Sequence, residues 1–137
     1  MKKYFLEIDS VRNNIREVEA LMLKANKEFG LTDDEYIKMM IAVTEIAMNA
    51  IVHGNKENAE KKVRVYVEHD DKVMRIVITD EGEGFEPQYL PDPTIEKNLH
   101  DMHGRGVFIA RELVDEFYYQ HHNGKGSEFV MIVRKKS

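Results

Sequence analysis

Apolar residues recur along this chain with two different periods, and each change of period marks a predicted helix or strand. Tyr4, Leu6 and Ile8 alternate with polar or charged residues, which is typical of a short strand, expected here at a sheet edge. After Ser10, a predicted N-cap, apolar residues return every three or four positions until Gly30 ends a first helix. This helical stripe comprises Val11, Ile15, Val18, Met22, Ala25 and Phe29.

The second predicted helix is the most apolar helical segment of the chain. Thr32 and Glu35 fit a capping box, with acidic residues at the positive end of the helix. The pattern continues to about His53, and Gly54-Asn55 ends it. Because apolar residues occur on most of its faces, we expect this helix to be largely buried. Those residues are Ile37, Met40, Ile41, Val43, Ala47, Met48 and Ile51.

The middle of the chain predicts two strands and a long loop. Three valines alternate with polar residues, residues 73–78 are almost continuously apolar, and the polar residues 69–72 between the two runs predict a hairpin. The valines are Val63, Val65 and Val67. Residues 86–102 include all three prolines of the chain and predict a long, mobile loop whose length is typical of functional loops.

The last part of the chain predicts one helix and one hairpin. The helix runs from Gly106 to about Val114, and its inward residues are expected to be Val107, Phe108, Ala110 and Leu113. Strands at 117–121 and 129–133 are joined through Asn123-Gly124, a hairpin signal. The order β-α-α-β-β-loop-α-β-β predicts an α/β (α+β) two-layer sandwich, in which about three helices cover one face of a mixed, mostly antiparallel sheet.

Composition narrows the class of protein. The 137 residues suit one domain, residues 1–137, and 42% hydrophobic with 33% charged residues is typical of a soluble globular chain. A net charge of −5 does not suggest a nucleic-acid surface, and the absence of cysteine excludes disulfides and thiolate chemistry. We see no apolar run near the ~20 residues of a membrane span. Glu7 comes too early for a signal peptide, so we expect a cytoplasmic protein.

Three polar side chains interrupt the apolar surface of the second predicted helix at a regular spacing. Glu45, Asn49 and His53 lie at i, i+4 and i+8 and therefore share one stripe. A carboxylate and an amide in an apolar wall are costly unless they are paired or face a polar cavity. Glu45 suits a general base toward a hydroxyl or water. Asn49 offers a neutral oxygen to Mg²⁺, whose other ligands are usually water and phosphate.

Two other interpretations of this stripe stay open. In the first, the polar side chains only face solvent or pair with one another. In the second, Glu45 and His53 form a metal site with a histidine from elsewhere in the chain, since histidine is a good zinc ligand. The candidate histidines are His100, His103, His121 and His122.

A first glycine loop, Asp80-Glu81-Gly82-Glu83-Gly84-Phe85, follows an apolar strand. The carboxylate of Asp80 can accept a hydrogen bond from an amino group of a planar base, which is a strong basis for selectivity. Gly82 and Gly84 let the backbone turn and approach a ligand without a Cβ atom in the way. The same composition is also common in ordinary turns, so this loop alone does not distinguish a ligand-binding loop from an ordinary turn.

A second glycine loop, Gly104-Arg105-Gly106, lies at a predicted helix start. Free N–H groups and the helix dipole favour phosphate there, and Arg105 adds positive charge. The alternative is a glycine turn with a solvated arginine. The common mononucleotide pattern G-x-x-x-x-G-K-[ST] and the dinucleotide pattern G-x-G-x-x-G are both absent.

In combination these motifs resemble a known family. The order E-x-x-x-N-A-x-x-H-G, then D-x-G-x-G-F, then G-x-G before a helix resembles the GHKL ATPases with the Bergerat fold. The likeness covers nearly the whole chain and is closest to the small anti-sigma-factor serine kinases of bacteria. Residues 106–116 also resemble the later helix of those kinases.

This resemblance implies ATP and Mg²⁺ as cofactors and a role for each motif residue. Glu45 would be the base that activates the attacking hydroxyl, Asn49 would hold Mg²⁺, and Asp80 would bind the adenine amino group. Residues 86–103 would form the ATP lid. The remaining implied nucleotide contacts are His53, Gly82 and Gly84, the phosphate-side residues Gly104, Arg105 and Gly106, and Ser127, which follows Gly126 and would support the adenine site through water.

The resemblance further implies a serine/threonine protein kinase that phosphorylates an anti-sigma-factor antagonist and holds a sigma factor in one nucleotide state. One alternative is a nucleotide-gated binding module with negligible catalysis. Another is a stand-alone histidine-kinase catalytic domain, whose phosphoacceptor histidine a separate protein would supply. The family likeness also suggests a homodimer, for which Leu21 and Leu23 are candidate interface residues.

Overall fold

The computed structural model describes residues 1–82, 102–121 and 126–136. Within these ranges the chain forms five strands and three α-helices: β1 (Lys2–Asp9), α1 (Ile15–Phe29), α2 (Asp33–Asn49), β2 (Lys62–His69), β3 (Val73–Asp80), α3 (Met102–Leu113), β4 (Glu116–His121) and β5 (Ser127–Arg134). Gly84, most of the predicted lid at 86–103 and the turn at Asn123-Gly124 lie outside the described residues. So do the side chains of residues 102–104.

The strands form one sheet in the order β1-β2-β3-β5-β4, and each neighbouring pair is antiparallel. The predicted edge position of β1 and both predicted hairpin pairings are therefore confirmed. In register, Leu6 lies opposite Val65, Val65 opposite Ile78, and Ile78 opposite Phe129. Since paired residues of antiparallel strands share a face, these side chains build one apolar face of the sheet.

The helices cover that apolar face and complete the predicted two-layer sandwich. Val65 and Ile78 from the sheet are fully buried in one cluster with Met22 of α1, Ile46 of α2 and Ala110 of α3. The opposite face of the sheet is open: Phe5, Tyr66 and Tyr118 are exposed there.

The connection from β1 to α1 differs from the prediction, because Ser10 does not cap the helix. A 3₁₀ turn at Arg12–Asn14 intervenes, and Val11, expected in the apolar stripe, is exposed. The buried Ser10 hydroxyl instead donates to the carbonyl of Lys61 at 2.6 Å and accepts from Nδ2 of Asn55 at 2.8 Å. The side chain is therefore used for a contact between distant segments. At the other end of α1, Gly30 has φ +85°, as a helix-ending glycine requires.

α2 begins as predicted and is less buried than predicted. Thr32 and Glu35 form the capping box, with bonds of 2.9 and 3.2 Å. The side of the helix that faces the sheet is buried, but Ile37 and Ile41 are 56% and 42% exposed. The apolar pattern extends beyond the core-facing side, so expecting those two residues in the core was wrong.

The C-terminal end of α2 changes its winding. After Asn49 the chain continues as a π-helical turn, Ala50–Gly54, closed by the Asn55 N–H on the carbonyl of Ala50 at 2.8 Å. Such wider turns are frequent at functional sites. Together, Asp33–Gly54 is long and apolar enough to span a membrane by length and composition, contrary to the sequence expectation, but its buried side chains form the core.

Candidate active site

Asp80, the last residue of β3, is buried, with only 5% of its surface exposed. Its Oδ1 atom accepts hydrogen bonds from the N–H groups of Gly82 at 2.9 Å and Ser127 at 3.2 Å. Burial raises the pKa of the Asp80 carboxyl, while these two hydrogen bonds oppose the rise. The protein thus holds an acceptor group in a place that disfavours its charge.

Glycines allow three backbone segments to pack closely around Asp80. A Cβ atom added to Gly54 would lie 2.3 Å from Oδ2 of Asp80, and one added to Gly82 would lie 1.9 Å from the carbonyl oxygen of Gly54. Gly126, with φ +105°, would place a Cβ atom 1.8 Å from the carbonyl oxygen of Asp80. Only glycine fits these positions without a shift of the backbone or of Asp80. The sequence motifs alone predicted no contact of Gly54 or Gly126 with Asp80.

β4 and β5 complete the surroundings of Asp80. Ser127 lies in register with Asp80 on one side and with His121 on the other. The hydroxyls of Tyr119 and Ser127 are 3.1 Å apart. The candidate residues Asp80, Gly82 and Ser127 therefore come together, and Tyr119 and His121, which sequence reasoning did not place there, adjoin them.

A cavity of about 370 Å³ lies beside the C-terminal half of α2 and contains Glu45, Asn49, His53 and Gly106 among its lining residues. Arg12, Met48 and Val52 also line it. Asn49 is 5% exposed, and its Oδ1 atom accepts no hydrogen bond from any described residue. Since buried polar atoms are nearly always satisfied, this oxygen is available for a ligand.

Gly106 brings α3 close to the candidate base. A Cβ atom at this position would lie 2.7 Å from Oε2 of Glu45. The predicted helix start was wrong, because α3 begins at Met102 rather than at Gly106. Arg105 is still among the first four residues, whose N–H groups have no acceptor within a helix, whereas Gly106 is in the second turn. Gly104 lies in the same helix, and its surroundings are outside the described residues.

Asn55 connects the two parts of the site. It is 1% exposed, and Nδ2 donates to Oγ of Ser10 at 2.8 Å and to the carbonyl of Lys62 at 3.0 Å. Its Oδ1 atom accepts from the N–H of Glu81 at 2.7 Å. The side chain therefore ties the end of α2 to the loop after Asp80. From the sequence alone, an asparagine that follows a glycine predicts only the end of a helix.

The donor set near Asn49 fits a magnesium ion better than zinc. No three histidine, cysteine, aspartate or glutamate side chains among the described residues lie close enough to hold a metal ion. Mg²⁺ needs few protein ligands when phosphate oxygens complete its shell, and the orphaned amide oxygen of Asn49 suits it. His100, His103 and His122, named for a zinc site, lie outside the described side chains.

Comparison with solved structures identifies proteins that share this fold. The structure of the RsbU and RsbW domains of a Mycobacterium tuberculosis protein superposes with a TM-score of 0.72 at 19% identity, over 98% of this chain and 32% of that one. The catalytic domain of the histidine kinase ThkA superposes with a TM-score of 0.58 at 14% identity, over 96% of both chains. At these identities the likeness concerns the fold alone.

Sequence comparison gives the family. The anti-sigma F factor of Bacillus subtilis is 33% identical over 92 residues, 62% of this chain and 60% of that protein. The serine-protein kinase RsbW of Bacillus subtilis is 31% identical over 105 residues, 69% of this chain and 63% of that protein. The matches thus span about three fifths of each relative's length. The profile of the histidine kinase-like ATPase domain matches residues 7–133, and the chain therefore belongs to that family, as the GHKL motifs predicted.

Proposed function

We propose that this chain is an ATP-binding serine/threonine protein kinase that acts as an anti-sigma factor and phosphorylates an anti-sigma-factor antagonist. The observation that supports it most is the meeting of two different polar sites at one end of α2. Asp80 packs against Gly54, and the orphaned Oδ1 of Asn49 shares a cavity with Glu45. The Bacillus subtilis relatives named as an anti-sigma F factor and a serine-protein kinase indicate the activity and the partners.

In this proposal Asp80 selects the nucleotide base. Its buried carboxylate accepts a hydrogen bond from the exocyclic amino group of adenine, and a base without that donor would leave it unpaired. Ser127, held beside Tyr119, supports the base through water. Gly82 and Gly84 let the loop backbone approach the ring, and His53 lies at the cavity rim.

The phosphates are assigned to the other half of the site. Asn49 would hold Mg²⁺, which neutralises negative charge on the phosphate oxygens when it is bound. Arg105 and the backbone at Gly104 are the proposed phosphate contacts in the first turn of α3, and Gly106, which lines the cavity with Glu45, is proposed to complete them. Residues 86–103 are the proposed lid of a single ATPase domain, residues 1–137.

Glu45 is the proposed general base. It accepts the proton of a serine or threonine hydroxyl as that oxygen attacks the γ-phosphorus and the bond to the β-phosphate breaks. Because Gly106 has no side chain, Oε2 of Glu45 has room beside α3. A carboxylate within reach of both the cavity and bulk solvent is suited to meet a protein substrate.

The proposed partners are a sigma factor and an anti-sigma-factor antagonist in the cytoplasm, with the chain acting as a homodimer. A sigma factor can be held and released only if its affinity differs between the ATP and ADP states. Ordering of the 86–103 lid by the γ-phosphate would provide two such states.

The decisive experiment combines the purified chain with Mg-ATP and the purified antagonist proteins of the two Bacillus subtilis relatives, and measures phosphoserine and phosphothreonine by mass spectrometry. Transfer that falls roughly 10²- to 10⁴-fold in Glu45→Gln, with ATP affinity unchanged, supports the proposal. Glu19→Gln, an exposed change on α1, is the matched control. ATP binding without transfer would instead identify a nucleotide-gated module, and full turnover by Glu45→Gln would remove the base assignment.

A further inference from the structure

The outward side of α2 displays two isoleucines that do not pack against the core. Ile37 and Ile41 are exposed, and Met48 is half-buried at the cavity. The spacing i, i+4, i+11 places the three on one side of a helix with 3.6 residues per turn. We call this surface the α2 ridge. Met39, Val43, Ile46 and Ala50 occupy the opposite, buried side.

The ridge leads directly into the candidate active site. Met48 lines the same cavity as Glu45 and Asn49. Glu45 follows Ile41 by one turn, about 6 Å along the helix axis. Apolar surface and candidate base are therefore continuous along one helix.

Local helix stability does not explain the two exposed isoleucines. Isoleucine is a poorer helix former than alanine, leucine or lysine, and its exposed side chain gains nothing from the core. Beside the ridge, Lys38 and Asp34 form an ion pair of 3.2 Å. Asp33, one turn before Ile37, and Glu45, one turn after Ile41, leave negative charge at its two ends. The exposed isoleucines between these ends fit apolar side chains of a partner, and the acidic ends disfavour a partner that carries acidic groups beside them.

We propose that the α2 ridge docks the protein substrate of the kinase, an acceptor with apolar side chains beside its phosphorylated serine or threonine. The proposal rests on the function proposed above. A hydroxyl within about 3 Å of Glu45 brings the residues that flank it over the neighbouring turns of α2. Ile41 and Ile37 occupy those turns, so they contact the acceptor before and during transfer.

The test compares wild type with the double variant Ile37→Gln/Ile41→Gln, using the antagonist proteins of the two Bacillus subtilis relatives as acceptors. Glutamine keeps the helix and adds no charge. We expect KM for the acceptor to rise about tenfold or more, while kcat at saturating acceptor, Mg-ATP affinity and the melting temperature stay the same. Phe5→Gln is the matched control, because Phe5 is 54% exposed on the open face of the sheet, and it should leave KM unchanged.

Direct binding measured by calorimetry separates this proposal from the kinase proposal. If wild type transfers phosphate and the double variant does so with the same KM, the ridge proposal is wrong and the kinase stands. If wild type binds an acceptor without transfer and only the double variant loses binding, the ridge stands and the kinase fails. If wild type binds neither antagonist protein, the ridge proposal and the kinase proposal are both wrong. A double variant that only shifts the sedimentation of the chain from dimer to monomer assigns the ridge to a second copy, which also overturns the proposal.

Discussion

Ser127 faces Asp80 in register across β5 and β3, and its backbone N–H donates to Oδ1 of Asp80 at 3.2 Å. Gly82 donates to the same oxygen from the other side, at 2.9 Å. The sheet and the loop therefore fix one carboxylate oxygen, and the second oxygen lies against Gly54. An acceptor fixed in this way by the backbone does not have to reorganise when a ligand binds, which favours selective binding.

The first prediction concerns Asp80→Asn. The substituted amide presents a donor where the carboxylate has only acceptors, so a hydrogen bond to a charged group is lost at the adenine amino group. We expect ATP affinity, measured by calorimetry, to fall roughly 10- to 100-fold. Asp71→Asn, an exposed change in the β2–β3 hairpin, is the control and should have no effect. Equal affinities for wild type and Asp80→Asn would exclude the assignment of Asp80 to the base.

Although Asp80→Asn should weaken ATP binding, it should not lower the stability of the protein when nucleotide is absent. Burial raises the pKa of Asp80 in the folded state, so the folded protein binds this proton more tightly than the unfolded chain. The stability from this group is therefore full below the unfolded pKa of about 3.9 and is lost as the pH rises through the folded pKa. Asp80→Asn, which cannot ionise, should match or exceed wild type in free energy of unfolding at pH 7. That advantage should shrink toward pH 3.5 in urea titrations, and an advantage independent of pH would contradict the account.

Gly54→Ala should disturb the site by a steric clash alone. Its Cβ atom would meet Oδ2 of Asp80 at 2.3 Å, so the carboxylate or the end of α2 must move. We expect a loss of stability of about 1–3 kcal/mol and at least a tenfold loss of ATP affinity. Gly30→Ala is the control, since Gly30 has φ +85° but no atom within 4 Å of an added Cβ. That control should lose about 1 kcal/mol and bind ATP normally. Normal ATP binding by Gly54→Ala would contradict the close approach.

The layers of the fold could be predicted because each depends on short-range patterns. Alternation at Tyr4, Leu6 and Ile8 defines an edge strand, and Thr32 with Glu35 defines a helix start. The same patterns also suggested Glu45, Asn49 and Asp80 as site residues, because a polar side chain in an apolar element costs free energy unless it has a partner or faces a polar cavity.

Contacts between segments that are far apart in the sequence could not be predicted from such patterns. Ser10 has the right chemistry for a cap, but a contact 51 positions away takes its hydroxyl. Gly54 looks like a helix stop, and only the folded chain shows it against Asp80. The burial of α2 was overestimated because periodicity identifies apolar residues without showing which neighbour covers them, and about half of the surface of Ile37 and of Ile41 stays exposed.

The next prediction uses Asn55→Ala to test the link between the two parts of the site. The change leaves the Ser10 hydroxyl, the Lys62 carbonyl and the Glu81 N–H without this partner. Because unsatisfied buried groups are costly, we expect a loss of about 3 kcal/mol or more in urea unfolding. The exposed Asn58, whose side chain accepts one bond from the N–H of Glu60, provides the control Asn58→Ala, expected within about 1 kcal/mol of wild type. Similar losses for the two variants would argue against the network.

Asn49→Leu tests the opposite case, a buried asparagine whose oxygen has no partner to lose. Leucine has a similar volume, so the free energy of unfolding without nucleotide should stay within about 1 kcal/mol of wild type or rise, because an unsatisfied acceptor is removed. With ATP, wild type should gain more thermal stability when Mg²⁺ is present than when it is chelated, because bound ligand stabilises the folded state. Asn49→Leu should lose that Mg²⁺-dependent difference in scanning fluorimetry. A large loss of stability without nucleotide, or an unchanged response to Mg²⁺, would show that Oδ1 of Asn49 has a structural role instead.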